Sequence, residues 1–367
     1  MSKTLFAMTV VALASPAIGA AFAQDNDNRA AILPQLPHSE LQVVSTKPTV
    51  IQDVNPYGVA FVPADFPQGG KTDPGDILVS NFNNSDNLQG TGTTIVSISP
   101  SGHRTLFFKG KKGLGLTTAL GILRRGVVLV GNLPTTDGTS ATLQPTSLIA
   151  IDRFGKEIAS FEDSTLLDGP WDLRVLDRGS EAQVFVSNVL NGTVCRLEFD
   201  ISEDGEHITL ENAAQIATGY AFRTDPAALV IGPTGLALDH ENGVLFVAST
   251  GDNAIYAIHH AIGRWEPVEK GHLVYRDDAH LRGPLGLVLA PNGHLITTNG
   301  DAVNGDPNQP SEMVEFTRSG RFVAQLSVDL GGQGGAFGIA LASNSEELRF
   351  AAVDDVVNTL DIWTVKK

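Results

Sequence analysis

A short unit of three apolar segments recurs along this chain and restricts the fold more than any other feature. The clearest copy spans residues 232–258: an alternating apolar segment, an Asn242-Gly243 pair, a second apolar segment, a polar loop and a third apolar segment. Such alternation predicts β-strands, and an Asn-Gly pair between two of them is typical of a tight hairpin turn. One small antiparallel unit cannot bury both of its faces, so the copies must pack against one another.

The unit occurs six times along the chain. When the fourth residue of each starting motif is used as a marker, the copies are 51 to 63 residues apart, at Gly58, Thr118, Asp172, Gly235, Gly286 and Gly338. Pairs such as Ser101-Gly102 and Asp204-Gly205 separate the later strands, because a tight hairpin turn needs a residue with positive φ. The sequence therefore predicts an all-β fold, a six-bladed β-propeller with four-stranded antiparallel blades.

The strand count also predicts how the ring closes. The sixth copy is one strand short after residues 359–365, whereas a spare strand near residues 40–45 precedes the first copy. A ring that takes its final strand from the N-terminal side has no open sheet edge. We therefore expect residues 39–47 to lie in the last blade, beside residues 359–365.

The N-terminal residues have the pattern of an export signal. Lys3 precedes an apolar run at residues 5–14, and Ala21-Phe22-Ala23 matches an A-x-A cleavage site. The run is too short for a membrane span, and the alternative is a buried N-terminal helix. We expect a signal peptide at residues 1–23, a flexible leader at 24–38 and the propeller at 39–367. The mature protein is then secreted, either periplasmic or extracellular.

The composition narrows the range of partners. The chain has 25 basic and 41 acidic residues, and its formal net charge is −16. Such a surface repels phosphate backbones and anionic lipids, so nucleic acids and membranes are poor partners. The single cysteine, Cys195, cannot form an internal disulfide and is interpreted as a small buried apolar residue. We expect a monomer.

Long loops and oxygen-bearing side chains collect on one face of the predicted ring. Three long loops, at residues 81–92, 132–145 and 299–310, and a long crossing at 213–232 open onto the face where the first strands begin. Side-chain oxygens at equivalent strand ends there suit a divalent cation such as calcium; the candidate ligands are Asn81, Asn132, Asn188 and Asp354. The alternative is that these are ordinary turn residues.

Aromatic residues open several of the innermost strands. The residue before each marker is expected to line the channel mouth, and three of the six, Tyr57, Trp171 and Phe337, are aromatic. The other three are Thr117, Thr234 and Leu285. Aromatic rings with Asn81, Asn132 and Asn188 at a concave site suit a flat or sugar-like ligand. Alternatively, the rings fill a narrow channel and belong to the core.

The repeat resembles a known family. The segment 232–239 followed by 242–255 is similar to the NHL repeat of six-bladed propellers, a group related to SMP-30/gluconolactonase-like hydrolases and streptogramin lyases. The resemblance implies a propeller over residues 39–365 and leaves the activity open. SMP-30-type lactonases hold a divalent ion with a Glu of an E-G-P-x-W motif and with Asn and Asp. The nearest match, Asp168-Gly169-Pro170-Trp171, has Asp for Glu, is one residue shorter and lies in the third copy.

Two classes of function follow. The first is a secreted NHL-type propeller that binds a small molecule, a glycan or a protein through its loop-rich face. The second is a metal-dependent, lactonase-like hydrolase or lyase with its site at the channel mouth. The motifs of serine hydrolases, zinc proteases and nucleotide-binding loops do not occur in the sequence, and it assigns no catalytic residue.

Overall fold

The fold is built almost entirely from short antiparallel sheets. A computed structural model describes residues 29–300, 312–328 and 335–367. Within these ranges, six four-stranded blades form a ring, and each blade begins with its innermost strand. This confirms the six-bladed β-propeller. The expected signal peptide at residues 1–23 and nearly all of the loop at 299–310 lie outside the described residues.

In each of the first three blades, the four strands pair in the order in which they occur along the chain. The strands of blade 1 are Val54–Phe61, Ile77–Asn83, Thr94–Ile98 and Arg104–Lys109. Those of blade 2 are Leu116–Leu123, Val127–Asn132, Ser147–Asp152 and Glu157–Phe161. Those of blade 3 are Pro170–Asp177, Glu181–Asn188, Thr193–Ile201 and Ile208–Thr218, with Val268–Glu269 added in parallel at the edge.

The other three blades complete the ring. Blade 4 consists of Pro233–Asp239, Val244–Ser249, Ala254–Ile258 and His272–Tyr275. Blade 5 consists of Pro284–Leu289, Leu295–Asn299, Met313–Phe316 and Phe322–Leu326. Blade 6 consists of Ala336–Ser343, Glu347–Asp354, Thr359–Lys366 and Glu40–Ser45. The crossing at 213–232 contains a hairpin of Arg223–Asp225 and Leu229–Ile231, and the 3-10 helices are Leu33–His38, Ser140–Thr142 and Ala261–Gly263.

The ring closes with the N-terminal strand, as the sequence predicts. Glu40–Ser45 pairs antiparallel with Thr359–Lys366, so that Glu40 lies opposite Thr364 and Ser45 opposite Thr359. Just beyond the strand, the backbone N–H of Thr46 donates to the carbonyl oxygen of Asn358 over 3.0 Å. The last sheet is therefore joined from both ends of the chain.

The end of the expected leader is packed against the ring. Leu33–His38 is a 3-10 helix, and Leu33 and Leu36 are buried in the apolar cluster of blades 5 and 6. The backbone N–H groups of Ile32 and Leu33 donate to the carboxylate of Glu315 over 2.8 and 2.9 Å. The described part of the expected leader therefore packs its apolar side chains between blades 5 and 6. Residues 24–28 lie outside the described ranges.

Hydroxyl groups tie neighbouring blades together around the channel. In several blades a Ser or Thr donates to a carbonyl oxygen in the first strand of the next blade over 2.7 to 2.8 Å: Ser80 to Thr117, Thr117 to Pro170, Ser187 to Thr234, Thr250 to Pro284 and Thr298 to Phe337. Each bond satisfies a buried carbonyl that faces an adjacent sheet. These contacts fix the relative positions of the innermost strands and so shape the channel.

The contact from blade 6 to blade 1 has a different form. Val353 stands where Ser80 and Thr298 stand in their blades, so no hydroxyl is present at this position. The strands approach each other closely at Gly338, where an added Cβ would lie 1.9 Å from the carbonyl oxygen of Tyr57. Only glycine allows this approach without a backbone shift.

Gly338→Ala should therefore destabilise the ring at this seam by about 1–3 kcal/mol or more, as overpacking does in other cores. The measurement is urea unfolding of the variant beside Gly263→Ala. Gly263 lies in a 3-10 turn, and an added Cβ there meets no atom within 4 Å. Equal midpoints for the two variants would contradict the close approach at Gly338.

Two further expectations from the sequence concern Cys195 and the membrane. Cys195 is fully buried, and burial raises the pKa of its thiol to about 12. Its Sγ–H donates to the carbonyl oxygen of Leu166 over 2.9 Å, so it is a structural residue of blade 3. No helix in the described ranges has the length and apolar character needed to cross a membrane.

Candidate functional site

The candidate site is a cavity on the face where the first strands begin, here called the upper cavity. It has a volume of about 470 Å³. Of the six residues expected at the channel mouth, five line it: Tyr57, Trp171, Thr234, Leu285 and Phe337. Thr117 is fully buried and holds the carbonyl oxygen of Pro170 instead. A cavity of this size suits a small molecule.

Aromatic rings from different blades form the floor of the upper cavity. Tyr57 and Phe337 stack with their centroids 4.5 Å apart, and Trp171 meets Tyr57 edge-on at 5.6 Å. Phe82 packs under both, 4.8 Å from Tyr57 and 5.5 Å from Trp171. Tyr57, Trp171 and Phe337 are only 5, 3 and 8 % exposed. The rings therefore belong to the core and line the cavity at the same time.

Amide side chains form the polar part of the wall. Asn83 and Asn87, from the first long loop, are joined by a bond from Asn83 Nδ2 to Asn87 Oδ1 over 2.8 Å. Gln89, from the same loop, reaches across to the hairpin of residues 223–231, where its Nε2 donates to the carbonyl oxygen of Ala227 over 2.8 Å. Two of the loops predicted to elaborate this face therefore meet over the cavity.

Three buried polar atoms in the wall have no hydrogen-bond partner within the described ranges. They are the indole Nε1 of Trp171 and the amide Oδ1 atoms of Asn55 and Asn83. Indole nitrogen is only a donor and the amide oxygen only an acceptor. A buried polar group without a partner is unfavourable, so these three residues of the wall have hydrogen-bonding capacity that the described residues leave unmet.

Asn55 and Asn358 also line the upper cavity, although nothing in the sequence singles them out. Both residues have positive φ, 59° and 61°, and the backbone N–H of Asn55 donates to Asn358 Oδ1 over 2.7 Å. Asparagine tolerates this left-handed conformation better than most residues. Asn55 precedes Pro56 and Asn358 precedes the strand Thr359–Lys366, and neither position in the sequence predicts a contact between residues 303 apart.

The four candidate metal ligands do not line the upper cavity. Asn132 Oδ1 accepts from the backbone N–H of Gly115 over 2.9 Å, and Asn188 Nδ2 donates to the carbonyl oxygen of Leu166 over 3.0 Å. Asn81 Nδ2 donates to the carbonyl oxygen of Thr46 over 3.2 Å. Each amide thus fastens the end of a second strand to the linker that enters its blade. The amide oxygens of Asn81 and Asn188 have no partner among the described residues but are buried away from the cavity.

Asp354 has the same structural position in blade 6. Its Oδ1 accepts from the backbone N–H groups of Val356 and Val357 over 3.0 and 3.3 Å, which fixes the turn that follows. Among the described residues, no three His, Cys, Asp or Glu side chains lie close enough to hold a metal ion together. The four predicted ligands make contacts within the chain, so the calcium site stays a prediction and we derive no chemistry through it.

The motif Asp168-Gly169-Pro170-Trp171 places the Trp171 ring in the wall of the upper cavity, and the residue that follows it, Asp172, is a buried carboxylate. Burial raises the pKa of Asp168, which does not line the cavity. Asp172 lies below the cavity at the narrow part of the channel, where its Oδ2 accepts from the backbone N–H of Leu236 over 2.8 Å. Burial raises its pKa despite the guanidinium of Arg174, 3.3 Å away. Asp172 and Arg174 therefore close the channel beneath the rings.

Comparison with known proteins supports the propeller fold but does not assign the chain to a family. No protein-family model matches the sequence, and no curated protein matches it as a relative. Regucalcin from Agrobacterium tumefaciens, described as a calcium-binding protein, superposes with a TM-score of 0.51 at 13 % identity over 88 % of this chain and 96 % of its own. A variant of the alpha-L-arabinofuranosidase of Fusarium graminearum, in complex with an iminosugar inhibitor, gives 0.51 at 15 % identity over the same shares.

These likenesses establish a six-bladed propeller. At such low identity a shared fold carries no shared activity, because unrelated sites occur on the same propeller scaffold. No family model matches, so the NHL repeat stays a prediction. The function has to be argued from the upper cavity itself.

Proposed function

We propose that this protein is an exported propeller of the NHL type that binds a small, neutral, flat or sugar-like molecule in its upper cavity. The observation that carries the proposal is the set of unpartnered atoms in the wall, Trp171 Nε1, Asn55 Oδ1 and Asn83 Oδ1. A ligand that presents one acceptor and two donors would complete all three hydrogen bonds. Export rests on the Ala21-Phe22-Ala23 cleavage pattern, and the NHL type on the repeat at residues 232–258.

The rest of the wall supports a neutral ligand. Among the described lining residues, Lys47 and Asp355 are the only charged ones, and they have opposite signs. Thr234 and Thr250 add hydroxyl groups, but both bond to the carbonyl oxygen of Pro284. The unpaired donor and acceptors therefore come from uncharged groups beside aromatic rings, a combination that suits ring-shaped ligands with hydroxyl or amide groups.

Binding is better supported than hydrolysis or lysis. Glycoside hydrolysis uses two carboxyl groups on either side of the reacting bond, and Asp355 is the one carboxylate among the described lining residues. A metal-dependent reaction needs a set of hard ligands, and no three His, Cys, Asp or Glu side chains of the described ranges lie close enough to hold a metal ion together. The iminosugar inhibitor of the arabinofuranosidase shows only that one protein of this fold is compatible with a sugar-like molecule.

Trp171→Phe should weaken ligand binding while the fold is kept. The phenyl ring retains much of the apolar contact but lacks the indole N–H, so a ligand acceptor is left unpaired in a buried site. The expected loss is about 1–3 kcal/mol, or roughly 5- to 150-fold in Kd. Calorimetric titration with neutral monosaccharides, myo-inositol and neutral nucleosides measures it.

The matched control is Trp265→Phe. Trp265 lies outside the upper cavity, is half exposed, and has the guanidinium of Arg196 over its ring. This variant should bind every active compound of the panel as the parent does. The proposal is wrong if no compound of the panel binds the parent, or if Trp171→Phe binds with unchanged affinity.

A further inference from the structure

A second cavity lies at the opposite end of the channel, where the first strands of the blades end. This lower cavity has a volume of about 520 Å³. It is separated from the upper cavity by the narrow part of the channel around Asp172 and Arg174, where only about 10 Å³ remains. The two cavities are therefore independent sites, and the inference below does not rest on the function proposed for the upper one.

Most of the residues that line the lower cavity are apolar, and the polar ones are Arg124, Arg174, Asp177 and His240. Aliphatic side chains come from the first strand of every blade, among them Val59, Leu120, Val175, Leu238, Leu289 and Leu341. Several of them are only half buried, in an otherwise strongly acidic protein of net charge −16. Concave apolar surface of this size is typical of sites that bury an apolar ligand.

The guanidinium of Arg174, at the floor of the lower cavity, has N–H groups without a protein partner in the described ranges. Arg174 donates through Nη1 to Asp172 and to the carbonyl oxygen of Leu173, and through Nη2 to the carbonyl oxygen of Leu287 over 2.8 Å. A guanidinium has five N–H groups, so two of them have no protein partner in the described ranges. The side chain is 25 % exposed, and Arg174 lines the lower cavity. It can therefore donate to an acceptor inside the cavity.

The charges around the cavity argue against an anionic ligand. The Arg174 guanidinium already faces the Asp172 carboxylate at 3.3 Å. At the rim, both oxygens of Asp177 accept from backbone N–H groups, those of Arg124 and Gly179. Arg124 pairs with Asp65 at 3.3 Å, and His240 is exposed. No net positive charge remains to hold an anion.

We propose that the lower cavity binds a neutral, mainly apolar small molecule that carries one hydrogen-bond acceptor, such as a carbonyl oxygen, directed at Arg174. The aliphatic ends of six strands bury the body of the ligand, and the two unpartnered N–H groups of Arg174 orient it. Exposed aliphatic surface of this kind is unfavourable in water, so covering it with an apolar ligand favours binding.

Nile red tests this inference, because it is neutral and apolar, carries a carbonyl oxygen, and fluoresces more strongly in apolar surroundings. Titration of the full chain should give a saturable rise with one site per protein. Diphenylhexatriene, a hydrocarbon without an acceptor, should bind several-fold more weakly. Equal affinity of both dyes would overturn the role of Arg174, and no saturable binding of either dye would overturn the site.

Variants locate the dye. Ala340→Trp and Leu238→Trp fill the lower cavity from blades 6 and 4, so each should weaken Nile red binding at least 10-fold. Ala342→Trp makes the same change as Ala340→Trp two residues further along the strand and outside the cavity, and should bind as the parent does. Parent-like affinity in both filled variants would place the dye elsewhere and contradict the proposal.

Discussion

A protein that begins at Pro48, and so lacks the closing strand Glu40–Ser45, should aggregate or unfold at a temperature lower by roughly 10 °C or more. The strand pairs with Thr359–Lys366 over six residues. Without it the last blade has three strands, and the unpaired backbone groups of its edge can pair with other molecules. Thermal unfolding and light scattering measure the two effects.

Two reference proteins make this result interpretable. One begins at Gln24, after the expected cleavage site, and keeps every packed residue. The other begins at Ser39, keeps the closing strand, and lacks the 3-10 helix Leu33–His38. Aggregation should appear only when the strand itself is removed. If the protein that begins at Pro48 unfolds at the same temperature as the one that begins at Gln24, the strand Glu40–Ser45 does not stabilise the last blade.

The second large effect is expected at Glu315, which is fully buried between blade 5 and the N-terminal segment. Its carboxylate accepts from the backbone N–H groups of Ile32 and Leu33, from Asn292 Nδ2 and from His294 Nδ1 at 2.8 Å. Glu315→Ala removes the acceptor for all of these donors at once. We expect a loss of about 3–5 kcal/mol in the free energy of unfolding, typical of a broken buried polar pair.

Glu347→Ala is the matched control, because it is the same change at an ion pair near the surface. Glu347 Oε2 lies 2.7 Å from Lys366 Nζ, whose side chain is 71 % exposed. Exposed ion pairs contribute about 0–1 kcal/mol. Equal losses for the two variants in urea unfolding would show that Glu315 does not hold the N-terminal segment.

The ring could be predicted from the sequence because its signals are local. Strand alternation, hairpin glycines and the spacing from Gly58 to Gly338 repeat six times, and each copy supports the same interpretation. The closing strand followed from the strand count. The docking of residues 32–38 could not be predicted, because it depends on a buried acceptor at Glu315, 283 residues from Ile32.

Only part of the upper cavity could be predicted from the sequence, because only some of its residues follow from the repeat. The position of Tyr57, Trp171 and Phe337 follows from the period of the repeat, so the sequence places them at the mouth. The role of an asparagine is harder to predict from the sequence, because its amide can either bond to a linker or contact a ligand. Asn132 and Asn188 do the first, whereas Asn83 lies in the cavity wall, and their sequence surroundings do not distinguish them.

The burial of the rings also changes how they should be tested. Because Tyr57, Trp171 and Phe337 are in the core, cutting each to alanine should lower stability by about 3–5 kcal/mol whether or not a ligand binds. Stability alone therefore does not separate a core ring from a ring that contacts a ligand. Changes that keep the ring and remove one polar atom are the informative ones.

The most direct test of ligand binding in the upper cavity is to follow the indole N–H resonance of Trp171 in a ¹H–¹⁵N correlation spectrum. The chain has three tryptophans, so Trp171→Phe assigns this cross-peak by its disappearance. Titration with the same panel of neutral sugars, inositol and nucleosides should shift the Trp171 cross-peak saturably for at least one compound, with the peaks of Trp265 and Trp363 unmoved. If no compound moves the Trp171 peak, or if the three peaks move together, the upper cavity is not the binding site.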